Sequence, residues 1–175
     1  MENNDEVSLG GMFDCYVITN RRDKAFILSF LDRFVPNRKE TADEYEFPQY
    51  SSQPQMIFPT ADQLMTFMEK TPFEPHTIYW ANEQRNDFLT HCMCFYTEDG
   101  FLILGGSCHR RLKHPGTIEI DMTYTENFLK ELKDFSKSEH GYITFEEPPP
   151  INMVEFLKCC HIIETEDYQA NIKHI

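Results

Sequence analysis

Residues 88–108, FLTHCMCFYTEDGFLILGGSC, constrain the fold of this chain more than any other stretch. Two apolar runs meet at Asp99-Gly100, and an Asp-Gly pair between strand-like runs is the strongest short signal for a β-hairpin. A two-residue turn there needs positive φ at both positions and sets His91 opposite Cys108. Both arms are apolar at alternate and at intervening positions, so both faces of the hairpin must be covered. Burial of one Phe or Leu contributes roughly 1.5–3 kcal/mol, so an exposed face would be costly. Gly105 and Gly106 interrupt the bulky side chains and predict a bulge.

The rest of the chain supplies the cover. Residues 12–19 and 76–82 (HTIYWAN) read as strands. Phe26, Ile27, Phe30, Leu31 and Phe34 repeat at helical spacing, and Pro36 ends that helix. Thr60 and Gln63 form a capping box for a second helix. Residues 117–123 alternate as a half-wet strand, and Thr123 with Glu126 offers a cap for a third helix. Residues 142–145 predict a short strand. A stiff Pro148-Pro149-Pro150 link then leads to a last helix begun by Asn152 and Glu155. Residues 37–59 are the least regular part, with Tyr45, Phe47 and Tyr50 expected to pin them to the body; a connection of that length is a candidate binding element. The whole predicts one α+β domain: a mostly antiparallel sheet of five or six strands around the central hairpin, with about four helices packed on it. Residues 1–11 and 164–175 are expected to be loosely ordered.

Charge narrows the function. The chain carries 29 acidic against 16 basic side chains, a net charge of −13. Such a field repels phosphate backbones, so nucleic acid is not an expected ligand, and it attracts basic proteins. The acidic residues 1–11 lack the basic and apolar regions of a signal peptide. No apolar run approaches the ~20 residues of a membrane helix. Six Cys, several inside apolar runs, suit a reducing cytoplasm.

No motif specifies a chemistry. His91, Cys92, Cys94, Cys108 and His109 are the right residue types for zinc, but their spacing departs from zinc patterns. A nucleophilic Cys needs a His beside it, and adjacent Cys108 and His109 diverge in a strand. The basic cluster Arg110, Arg111, Lys113 and His114 reads as a solvated loop balanced by acidic groups. The carboxylate pairs Glu98-Asp99, Glu146-Glu147 and Glu166-Asp167 are expected in so acidic a chain. No catalytic residue, metal or cofactor is therefore expected.

The order of the pieces is informative as a layout. An early strand precedes DKAFILSFLDRFVP; then come an acidic loop with YEFPQY, a short YW strand, the hairpin FYTEDGFLILGGS, and GYITFEEPPP before a final helix. Over residues 12–160 this resembles the small acidic immunity proteins encoded beside bacterial polymorphic toxins. The resemblance implies a non-enzymatic cytoplasmic protein that neutralises a basic toxin domain by direct binding. The contact surface is then expected at Asp43, Glu44 and Glu46, at the strand edge near Trp80 and Glu83, or at the hairpin tip, Glu98 and Asp99. The alternative is a small enzyme or a metal- or ligand-binding domain with a pocket near His91, Cys108 and His109.

Overall fold

The computed structural model describes residues 11–84, 88–114, 117 and 119–163, and the side chains of 161–163 are not described. The expected tails, residues 1–10 and 164–175, and the pair Glu166-Asp167 lie outside the described residues. The architecture is α+β. Six strands form one antiparallel sheet in the order β2-β5-β6-β7-β1-β8. They are β1 (Met12–Thr19), β2 (Arg38–Glu40), β5 (His76–Asn82), β6 (Leu89–Tyr96), β7 (Leu102–His109) and β8 (Gly141–Phe145). A separate two-stranded ribbon pairs β3 (Tyr45–Phe47) with β4 (Met56–Phe58).

Four helices cover the sheet: α1 (Lys24–Phe34), α2 (Ala61–Met68), α3 (Thr123–Ser136) and α4 (Met153–Ile163). The period of two sorts the strand residues onto two faces. Cys15, Val17, Ile78, Cys92, Cys94, Leu102 and Leu104 pack with residues of α1, α2 and α3. Tyr16, Ile18, Met93, Phe95, Ile103 and Tyr142 pack with Phe156 and Cys160 of α4. The hairpin is thus covered on both faces, as its composition demands.

The caps follow local chemistry. Asp23 caps α1 through the Phe26 amide, and Thr60 caps α2 through the Gln63 amide. At α3 the expected Thr123 cap is replaced: Asp121 accepts from the Thr123 amide at 3.0 Å. Residues 117–123 form no strand among the described residues, only an isolated bridge between Leu112 and Ile120.

The hairpin itself differs in register. Thr97 and Phe101 close the loop, with Thr97 N–H donating to the Phe101 carbonyl and the Gly100 N–H to the Thr97 carbonyl. Only Gly100, at φ 89°, is left-handed there. The turn thus holds three residues rather than two, the pattern of a tight turn followed by a glycine bulge. One residue more in the loop sets His91 opposite Ser107, not Cys108, which faces Leu89 across an irregularity between Leu89 and His91. Gly105 and Gly106 sit in a regular ladder, so the expected bulge lies elsewhere. They are small because Tyr16 on one face and Phe128 on the other occupy the space of a side chain.

Candidate functional site

The connection 37–59 is more structured than its sequence suggests. It contributes β2 at the sheet edge and the β3–β4 ribbon. Tyr45 and Phe47 are buried in the larger core. Glu40 ties the segment down twice, its Oε2 accepting from the Ala61 amide at 2.8 Å and from the Tyr45 hydroxyl at 3.1 Å. Burial and the Glu40 carboxylate both raise the Tyr45 phenol above its ordinary value. Tyr50 does not pin anything: it is 87% exposed, with a left-handed backbone at φ 60°.

This scaffold leaves a groove of about 330 Å³ between the connection and β5. Glu44, Glu46, Tyr50 and Tyr79 line it around Gln49 and Thr77, and no lysine or arginine does so among the described residues. The Gln49 side-chain amide fixes the floor by bonding both backbone groups of Thr77, at 2.8 and 3.2 Å. Beneath it His76 is 2% exposed, with Nε2 3.0 Å from the Glu46 carbonyl and Nδ1 3.1 Å from the Thr77 carbonyl. A neutral imidazole has one N–H and can donate to only one of the two. Exposed Ile57 lies on the adjoining ribbon, on the residue paired with Glu46.

Burial lowers the affinity of His76 for a proton, and burial with the nearby His109 does the same for His91. Their unfolded counterparts titrate near 6.5. The unfolded chain then binds more protons than the native one as pH falls below that value, so stability is lost in that direction. Thermal unfolding followed from pH 7.5 to 5.5 should show a falling midpoint. His76→Gln should flatten that fall, and an unaltered slope would remove His76 from the account.

Of the residues expected at a contact surface, the acidic three lie here and the rest go elsewhere. Asp43 and Glu44 are exposed and Glu46 half-buried, all near this groove. Trp80, expected at a contact edge, is 2% exposed and belongs to the larger core. Glu83 is exposed but lies four residues beyond Tyr79, about 13 Å along the chain. The hairpin tip is engaged within the molecule. Asp99 Oδ2 accepts from the Met153 amide at 2.8 Å, capping α4, while Glu98 bonds Asn152 and its amide donates to the Ile151 carbonyl. The sequence marks residues 37–59 as a candidate binding element but singles out neither Tyr50 nor Tyr79 as a groove residue; their convergence depends on how the connection folds back along β5.

The residues of the alternative pocket converge only in part. Cys108 is fully buried on one face, in the core shared with α1, α2 and α3. His91 and the exposed His109 lie near each other on the other face, that of Ser107. That face carries a cross-strand row, His91–Ser107–Asp14–Thr144. Ser107 donates to Asp14 at 2.5 Å, and burial raises the Asp14 carboxyl. No group of three or more His, Cys, Asp or Glu poised to hold a metal occurs among the described residues. The basic cluster is absorbed: Arg110 lies over Phe145, Arg111 lies 3.4 Å from the Phe88 ring centre, and Lys113 pairs with Glu119. No helix among the described residues is long and apolar enough to cross a membrane.

No family model, curated protein or solved structure matches the chain.

Proposed function

We propose that this chain is a non-enzymatic binding protein of the bacterial cytoplasm, an immunity protein that neutralises a basic toxin domain through the groove at Glu44, Glu46, Tyr50 and Tyr79. The observation that carries the reading is the exposed Tyr50 ring beside two carboxylates on a braced scaffold. A large exposed aromatic is an anchor for protein contact. A lysine or arginine placed against Tyr50 and Tyr79 gains a cation–π contact and a carboxylate partner together. The net charge of −13 speeds the approach of a basic partner.

The test uses the C-terminal domain of a large secreted protein encoded beside this gene. Co-expression should restore growth, and calorimetry should show a one-to-one complex that weakens with salt. Tyr50→Ala should weaken it by about 2 kcal/mol, roughly thirtyfold in Kd, with thermal stability unchanged. Glu44→Lys with Glu46→Lys should slow association. A neighbouring gene of metabolic type, or a toxin domain that does not bind, would overturn the immunity reading. A complex indifferent to all three substitutions would sink the placement.

A further inference from the structure

The sheet treats its two edges differently. At one end β2 is three residues long and wholly charged, Arg38-Lys39-Glu40. Beyond it, Gln49 occupies both backbone groups of Thr77, and Thr41 bonds the Tyr79 carbonyl through its amide and its hydroxyl. Those are the usual means of blunting an edge. At the other end β8 pairs with β1 alone, and no strand pairs with its outer edge among the described residues. Its sequence, Gly-Tyr-Ile-Thr-Phe, holds no charge and no proline, and its side chains are of strand-forming types.

Beside that edge runs a groove of about 520 Å³ between α3 and β8. Leu129 and Ile143 supply its apolar part, and Lys130, Lys133 and Lys137 line it at helical spacing. None of the three lysines makes an ion pair among the described residues. Glu126 and Asp134 also line it, so three ammonium groups stand against two carboxylates, a positive spot on a chain of charge −13.

We propose that the outer edge of β8 accepts an extended acidic segment of a partner protein as a further strand, its carboxylates turned toward Lys130, Lys133 and Lys137. The added strand bonds the backbone of β8 and sends every second side chain to the α3 side. Lys130 and Lys137 lie about 10.5 Å apart along the helix. Carboxylates two residues apart on the strand are separated by about 6.8 Å, a gap that flexible lysine stems span. A second copy of this chain is the poorer occupant, because it brings its own three lysines to the same joint. This surface lies at the opposite end of the sheet from the Tyr50 groove, so it stands independently of the function proposed there.

The probe is an acetylated, amidated heptapeptide alternating Glu and Val, compared with its Lys/Val counterpart. Amide shifts on titration should be confined to 129–145, with slowed hydrogen exchange in β8. The acidic peptide should bind at least tenfold more tightly than the basic one. Methylating its edge-facing backbone nitrogens should abolish binding. Lys130→Glu with Lys137→Glu, both at exposed positions, should weaken it roughly five- to tenfold, as two screened pairs allow, with the unfolding midpoint unchanged. Equal binding of both peptides, shifts centred elsewhere, or no binding at millimolar concentration would overturn the proposal. So would a concentration-dependent dimer joined through β8.

Discussion

Gly106→Ala should destabilise the protein by about 3 kcal/mol, the upper end of ordinary overpacking. An added Cβ would stand 2.6 Å from two carbons of the Phe128 ring and 2.8 Å from Leu89 Cδ1. The ring has little freedom to yield. It meets Phe34 edge-on at 5.4 Å, and Phe34 in turn packs on Phe30 and Phe135. Gly105→Ala meets the same obstacle on the other face, where Cβ would lie 2.6 Å from Tyr16, a ring held between Phe95 and Tyr142. A 175-residue domain moves its midpoint by about 2–4 °C per kcal/mol, so each substitution should lower it by roughly 6–12 °C. Urea unfolding gives the free energy directly. A loss below 1 kcal/mol for either would show that these rings shift readily, contrary to the packing described.

Trp80→Ala should cost about 3–5 kcal/mol, the usual toll for emptying a buried aromatic site. The ring sits on β5 between Glu40 of β2 and Cys92 of β6, facing the helices. Its removal leaves a void in the larger core that close-packed neighbours only partly fill. The folded fraction should still bind the partner with unchanged affinity. Tyr50→Ala should behave in the opposite way, affecting binding and not stability. Denaturation and calorimetry on the two variants separate the roles, and a Trp80 variant with normal stability and lost binding would reverse the assignment.

Much of the fold is legible along the chain. Strand-forming residue types place β1 and β5, and hydrophobic period places α1 and α4, each of which buries one stripe against one core. The caps Thr60 and Asn152 are legible because the hydrogen bond that starts each helix is made within three residues of the cap. Residues 117–123 show the limit of such reasoning. Their alternation of Ile118, Ile120 and Met122 fits a strand, yet the described part forms one bridge, because period two is satisfied by any extended segment that lays one side on a core.

The candidate site was only half legible. Glu44 and Glu46 stand out as acidic residues in an irregular segment, but Tyr50 was expected to pin that segment to the body and Trp80 to lie at a contact edge. Nothing local distinguishes them, since both are large aromatics that favour burial on one side. Their fates depend on a fold-back that brings Gln49 against Thr77, partners 28 residues apart. Asp99 is a sharper case. Its place before Gly100 announces a turn, while its bond to the Met153 amide spans 54 residues and makes it a helix cap as well.

The sequence by itself determined an antiparallel α+β sheet with a doubly covered central hairpin, because patterning and turn chemistry act between near neighbours. Tertiary structure alone decided the three-residue turn, the consequent pairing of His91 with Ser107, and the close approach of two rings to Gly105 and Gly106. It also decided which sheet edge is blocked and which has no partner strand among the described residues. The turn is closed locally by Thr97 and Phe101, but its one extra residue shifts the pairing and so exchanges the faces of a strand, and the others rest on contacts between residues distant in the chain.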